Sequence, residues 1–309
     1  MRQTPVEDVL HWSPWFRFAP PIALSADALA ETLDGGQSFT WRPDASETGI
    51  WQGTFGRRAA RLRLDSTGDL TGSLPVSENE IQAADSDIRA LSTYLRAGRN
   101  WVATGDALPW RSDPVIAEAL KAFPGLRLLD QPVGDTLLGF LCSSTRQIVQ
   151  IQQSLALLAE RYGPRVAPGM NALPDWQRLA GIEEGDLRAC LLGYRARYVT
   201  ATANCLADQT DWEKQLQSLS THEARTFLMD LPGVGRKIAD CVLLFGLGRL
   251  AVFPVDTWIL RVLRERYGLA DWKPHQLLRF AEVHFGPVAG YAQQLLFAQA
   301  RRKRTGRGK

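Results

Sequence analysis

Cysteine and histidine are scarce in this chain of 309 residues, four of each. Cys142, Cys190, Cys205 and Cys241 lie 48, 15 and 36 positions apart, which fits neither a disulfide framework nor a C-x-x-C metal pattern. His11, His222, His275 and His284 form no H-E-x-x-H or comparable ligand spacing, so zinc has no visible seat and no metal site is expected. Long apolar runs are missing too. The longest, Cys241 to Leu247, is far too short to span a bilayer, and Met1 to Asp8 offers no apolar stretch of the kind a signal peptide needs. Secretion and membrane insertion are therefore not expected, and a reducing compartment is.

What is present is ordinary globular material, 45% hydrophobic and 22% charged, long enough for roughly two domains. The net charge of +3 hides an asymmetry. Residues Arg301 to Lys309 hold six basic side chains and no acid, leaving an acidic excess in the body. A basic tail of this kind suits either phosphate attraction or plain solubility.

Two periods divide the chain. Trp51, Gly53 and Phe55, then Leu62 and Leu64 beyond the Gly56-Arg57-Arg58 turn, alternate with polar positions and predict antiparallel strands within residues 16 to 80. One helix, Leu24 to Leu33, is expected among them, stopped at Gly35-Gly36. From about residue 86 the spacing becomes helical: Ile88, Leu91 and Leu95 form a stripe, Asp113-Pro114 reads as an N-cap and first helical residue, and Ile148 to Tyr162 reads as a longer amphipathic helix. Gly163 to Gly169 reads as a loop, with helices thereafter. The expected architecture is α+β, an N-terminal antiparallel sheet domain over 1–86 and an all-α domain over 87–309.

Leu228 to Phe245 carries the sharpest signal. Two helices, spanning about 221–247, meet at Gly233-Val234-Gly235, where glycines permit a tight turn and let backbone amides approach a partner. Amides at a helix N-terminus bind anions, and a DNA phosphate suits such a helix-hairpin-helix. Lys237 follows the hairpin directly, and Asp256 stands 19 positions later in Phe253-Pro254-Val255-Asp256. A neutral lysine amine attacks an electrophilic carbon to give a Schiff base, and burial or a helix N-terminus favours the neutral form. A carboxylate stabilises the oxocarbenium-like transition state of glycosidic cleavage. Taken singly, Asp256 reads equally well as the N-cap of a helix from Thr257 to Arg266, and Lys237 as a phosphate contact.

Five short strings together resemble the 8-oxoguanine DNA glycosylase/AP lyases of the helix-hairpin-helix-GPD superfamily. They are Gly36-Gln-Ser-Phe-Thr-Trp-Arg42, Cys142-Ser-Ser144, Gly193-Tyr-Arg-Ala-Arg-Tyr198, Leu231-Pro-Gly-Val-Gly-Arg-Lys-Ile-Ala-Asp-Cys241 and Pro254-Val-Asp256, in family order across most of the chain. No cysteine follows Cys241, unlike the iron–sulfur relatives of the endonuclease III and adenine-glycosylase branches. The resemblance implies a TBP-like sheet domain, with Lys237 as nucleophile on C1′ and Asp256 as its electrostatic partner. It implies that Gly36 offers its carbonyl to the N7–H of the oxidised base, that Cys241 and Phe297 sandwich that base, and that Gln293 reads its Watson–Crick edge after extrusion.

On the DNA side the resemblance implies Tyr194 as a wedge, Arg195 as a contact to the opposite cytosine, and Gly233, Val234 and Gly235 as phosphate contacts. Thr145 and Gln150 stand where the family commonly has asparagine and a second cytosine-reading arginine, and Trp258 where it often has histidine. A weaker preference for cytosine opposite the lesion is therefore expected. No organic cofactor is implied. Room is left for a cation on the hairpin carbonyls near Leu231 and Val234, which nothing in the composition demands. The expected partner is duplex DNA containing oxidised guanine, met by a monomer, in the cytoplasm around a bacterial nucleoid or in a eukaryotic nucleus. The other readings are a glycosylase for alkylated bases and a helix-hairpin-helix protein that binds DNA without chemistry.

Overall fold

A computed structural model describes residues 10–304. An antiparallel sheet opens the chain. Its strands are β1 (Leu10–Trp12), β2 (Phe16–Arg17), β3 (Trp41–Pro43), β4 (Trp51–Phe55), β5 (Arg58–Leu64), β6 (Leu70–Ser73) and β7 (Pro75–Ser77). Five of them form one sheet in the order β2-β6-β5-β4-β3, while β1 pairs with β7. The alternation read at Trp51 to Leu64 is that of the β4–β5 hairpin, whose register runs from Trp51 opposite Leu62 to Phe55 opposite Arg58.

Helix α1 (Ala26–Asp34) leads into β3. It starts two residues later than the apolar spacing suggests, because the Ser25 hydroxyl accepts from the Ala28 amide and so caps it. The helical part comprises α2 (Asp85–Tyr94), α3 (Trp101–Asp106), α4 (Pro114–Ala122), α5 (Val133–Leu141), α6 (Ile148–Tyr162), α7 (Trp176–Ala180), α8 (Glu184–Leu187) and α9 (Ala196–Leu206). It continues with α10 (Trp212–Ser218), α11 (Thr221–Met229), α12 (Arg236–Cys241), α13 (Thr257–Arg266), α14 (Pro274–Phe285) and α15 (Ala289–Arg304). Asp113 caps α4 as its position before Pro114 predicts, its carboxylate accepting from the Val115 and Ile116 amides.

The segment read as a loop at 163–169 is instead half of a second hairpin, β8 (Arg165–Ala167) with β9 (Met170–Asn171). Gly169, at φ +66°, turns the chain, and Ala167 and Met170 bury themselves against Ala59 of β5. Tertiary burial, rather than an alternating pattern, makes these strands.

A single apolar core runs from the sheet through the helices. Trp41 of β3 donates its indole N–H to the Tyr94 hydroxyl of α2 at 2.8 Å, and the Phe39 ring meets Phe140 of α5 edge-on at 5.3 Å. Part of the basic tail serves packing: Arg301 donates to the Asp34 carbonyl at 2.6 Å and lies 3.4 Å from Glu31, while Arg302 pairs with Asp27, which ties α15 to α1. The end of that tail, 305–309, lies outside the described residues.

Candidate active site and DNA-facing surface

Helices α11 and α12 form the hairpin. Ser220 and Glu223 make a reciprocal capping box at the start of α11. Asp230 ends that helix, and the Val234 amide donates to the Leu231 carbonyl across the turn at 3.1 Å. Gly233 sits at φ +80°, and a Cβ there would strike the Tyr198 ring at 2.5 Å. Gly235, the N-cap of α12, is at φ −88° with open space where a side chain would go. Nothing thus crowds the chain where α12 begins, and no side chain caps its first amides. Within the hairpin Asp240, buried, pairs with Arg225 at 2.7 Å and with Arg236 at 3.5 Å, bracing α11 against α12.

Lys237 lies in the first turn of α12 and is half-buried. Its Nζ stands 3.3 Å from Ser143 Oγ and 4.9 Å from the centroid of the Phe140 ring. Phe140 is itself held between Phe39 and a stacked Phe245 at 5.6 Å. The amine thus rests on an aromatic prop supplied by α5. Cys241, one turn further along α12, is buried, and desolvation pushes its thiol up to about 12. The charge of Lys237, which lowers it, and those of Asp256 and Asp240, which raise it, also act on that thiol. The thiol stays protonated and behaves as a small apolar surface.

Asp256 does cap α13, accepting from the Ile259 amide through Oδ1 at 2.8 Å. Its two readings are therefore not exclusive: the cap fixes the carboxylate at the start of α13, and a fixed carboxylate can still act electrostatically. Trp258, one residue into α13, meets the Phe297 ring at 6.5 Å between centroids, nearly edge-on.

Phe297 and Gln293 share a face of α15, four residues apart. Gln293 is 6% exposed and its Oε1 is buried without a hydrogen-bond partner in the protein, an acceptor available to a ligand edge. Gly36, at φ +81°, lies against the same ring. A Cβ there would come within 3.3 Å of Phe297 Cε1 and 3.0 Å of Ile148 Cδ1. The preceding carbonyl, of Gly35, accepts from Gln294 at 3.0 Å, fixing the turn. The structure therefore packs Gly36 and Trp258 each against the Phe297 ring, and places Lys237 and Cys241 one turn apart on α12 with Asp256 at the start of α13.

The loop after α5 and the loop before α9 clasp one another beside this site. Arg195 is buried. Its guanidinium donates to the Ser144 carbonyl, to Thr145 Oγ1 at 3.0 Å and to the Leu192 carbonyl at 3.3 Å. Thr145 lies 3.2 Å from the Tyr194 hydroxyl, and Tyr194 is 44% exposed. Gln150 closes a capping box with Gln147 at the start of α6. Sequence reasoning passed over Ser143, Phe140 and Arg146. Ser143 sits inside the Cys142-Ser-Ser144 string, the one signal that pointed to it. No group of three or more His, Cys, Asp or Glu side chains suited to a metal occurs among the described residues.

The chain is similar to known proteins over most of its length. Residues 21–137 match the family described as 8-oxoguanine DNA glycosylase, N-terminal domain, and residues 138–285 the HhH-GPD superfamily base excision DNA repair proteins. The N-glycosylase/DNA lyase OGG1 of Arabidopsis thaliana is 30% identical over 302 residues, spanning 92% of this chain and 79% of that protein. The N-glycosylase/DNA lyase of Saccharomyces cerevisiae is 27% identical over 276 residues, 80% and 70% of the two chains. The Clostridium acetobutylicum 8-oxoguanine glycosylase/lyase, solved with double-stranded DNA carrying cytosine opposite 8-oxoG, superposes with a TM-score of 0.80 at 25% identity, over 89% and 92% of the chains.

Proposed function

The chain belongs to the 8-oxoguanine DNA glycosylase/AP lyase family of the helix-hairpin-helix-GPD superfamily, and from that premise we propose how its residues carry out the reaction. The protein is a bifunctional DNA repair enzyme that removes 8-oxoguanine from duplex DNA and cleaves the strand at the resulting site. The observation that carries the mechanism is the position of Lys237. Its amine stands at the N-terminus of α12 directly after the hairpin, seated on Phe140 and next to Ser143.

In this reading the duplex rests its phosphates on the amides at Gly233, Val234 and Gly235, and the damaged nucleotide swings out because C1′ is unreachable inside the stack. The base enters between Cys241 and Phe297, its N7–H donating to the Gly36 carbonyl and its pairing edge meeting Gln293. Normal guanine lacks that N–H and leaves the carbonyl unpaired, a loss of about 1–3 kcal/mol in a buried site. Lys237 Nζ forms a bond to C1′ as the bond to the base breaks. Asp256 stabilises the positive charge that develops on the sugar. The attached nitrogen then gives up one of its two protons to the departing base, its lone pair expels the ring oxygen, which takes up a proton as the ring opens to a protonated Schiff base, and loss of a C2′ proton expels the 3′ phosphate by β-elimination.

Tyr194, Thr145, Gln150 and Trp258 form the rest of the DNA-facing surface, with Arg195 buried behind it and bracing its loops, and the preference for cytosine opposite the lesion is weak. The enzyme acts as a monomer, in the cytoplasm of a bacterium or the nucleus of a eukaryote. No described helix is long and apolar enough to cross a membrane. The proposed division remains a sheet part, 1–86, and a helical part, 87–309, with the strands of the first ending at Ser77 and α2 beginning at Asp85, two residues before that boundary.

Borohydride trapping tests the mechanism. The purified protein is incubated with a duplex holding one 8-oxoguanine, beside Lys237→Gln and an undamaged duplex. A covalent adduct is expected only with the unaltered protein on the lesion; an adduct that persists in Lys237→Gln would give the chemistry to another amine.

A further inference from the structure

Leu191 is an anomaly on the clasp described above. It sits at φ +61°, ψ +21°, inside the distorted segment Arg188–Leu192 that joins α8 to α9. This is the left-handed region, which a leucine occupies at a cost that glycine or asparagine largely avoids. The burial of an apolar side chain does not repay that cost, because Leu191 is 51% exposed. A strained backbone holding an oily side chain out into solvent calls for a reason other than folding.

The backbone there is held with care. The Leu191 carbonyl accepts from the Arg146 guanidinium and from Ser154 Oγ at 3.2 Å. Arg146 in turn donates to Ser154 Oγ at 2.6 Å, so its guanidinium is turned into the protein. Thr145, on the facing loop, is a second non-glycine residue in the left-handed region, at φ +55°. The two loops are further tied by Arg195 to the Ser144 carbonyl and by Thr145 to Tyr194. On this clasp Leu191, Tyr194 and Thr145 are exposed, as are Gln147, Arg188 and Ala189, and Leu191 and Tyr194 are its large exposed apolar side chains; it begins beside Ser143, the polar neighbour of Lys237.

We propose that Leu191 is a second wedge beside Tyr194, an apolar prong that presses between the bases next to the position the damaged nucleotide vacates. This rests on the repair-glycosylase reading given above. Apolar side chains placed between base steps compensate lost stacking and hold a duplex unstacked. A leucine forms no hydrogen bond to a base edge, so its contribution is the same whichever base lies opposite. It thus supplies extrusion without opposite-strand readout, in a chain whose loop arginines are both spent on the protein itself.

The test exploits the backbone. Leu191→Gly and Leu191→Asn both suit φ +61° and both remove the prong. Each is expected to leave the melting temperature unchanged or raised, while single-turnover excision of 8-oxoguanine falls about tenfold, by the same factor opposite cytosine, adenine, guanine and thymine. Leu191→Met, which restores an apolar side chain, is expected to recover most of the rate. A duplex with 2-aminopurine beside the lesion reports unstacking directly. In a Lys237→Gln background its fluorescence gain on binding is expected to shrink when Leu191 is replaced by glycine. Unchanged excision in both variants overturns the proposal, as does a rate loss confined to one opposite base or matched by a fall in melting temperature. An unaltered protein with no excision at all would instead overturn the underlying functional reading.

Discussion

Gly36 and Phe297, 261 positions apart in the chain, face each other so closely that a single methyl group on the glycine would press on the ring. The same glycine holds a positive φ. Replacing it by alanine therefore combines backbone strain of about 1–2 kcal/mol with crowding of the base slot. Gly36→Ala is expected to lower the melting temperature modestly and to cut 8-oxoguanine excision far more than cleavage of a preformed abasic site, which needs no base slot. Equal losses on the two substrates would remove Gly36 from base recognition.

The double duty of Asp256 makes its two roles separable. Asparagine keeps an oxygen for the Ile259 amide and is as good an N-cap as aspartate, whereas alanine loses the cap at about 1 kcal/mol. Asp256→Asn is expected to keep its thermal stability and lose excision about 10²- to 10³-fold, on the scale of other lost transition-state charges. Asp256→Ala should lose both. Full activity in the asparagine variant would leave Asp256 as a cap alone.

The two hairpin glycines differ in what they exclude. Gly233 abuts Tyr198 and has a positive φ, so Gly233→Ala should unsettle the turn and lower the melting temperature. Gly235 has neither constraint. Gly235→Ala is expected to fold normally yet bind duplex DNA more weakly, with a shallower dependence on salt, because the methyl group would stand off a phosphate from the amides of α12. Undiminished binding by Gly235→Ala would move the phosphate elsewhere.

Asp135, on the first turn of α5, accepts from the Gly56 amide at 3.1 Å. Desolvation raises its carboxyl from 3.8 to about 7. Between those values the folded protein holds a proton that the unfolded chain has released, so stability falls as pH rises through that window and levels off above it. Asp135→Asn keeps an acceptor for Gly56 and removes the charge. Its melting temperature is expected to match the unaltered protein near pH 4 and to exceed it increasingly up to about pH 7. Parallel profiles for the two proteins would show that Asp135 is solvated.

Much of this molecule could be read from local signals. The hairpin, the Asp113 and Asp256 caps and the β4–β5 alternation are each built from one continuous stretch of chain, and each formed as the spacing suggests. The groups around Lys237 were harder to see because their partners are remote: Ser143 is 94 positions away, and Phe140 reads as one more core aromatic. The β8–β9 hairpin was hidden for a similar reason, since Ala167 and Met170 are made strand by the distant Ala59. Leu191 left no sign at all, because nothing in a leucine announces a positive φ. Arg195 is read from sequence as a cation facing DNA, and only the fold shows its donors, like those of Arg146, turned toward the protein's own carbonyls and hydroxyls.

Phe39 lies three residues beyond Gly36 and touches the ring on which Lys237 rests. On the proposed mechanism, one short stretch of the sheet part shapes the base slot at one end and steadies the nucleophile at the other. The helices then bear the chemistry without being a sufficient enzyme. Trimming this protein to its hairpin and neighbouring helices is expected to strip the support from the amine along with the slot for the base, so the smallest chain expected to repair DNA includes the sheet.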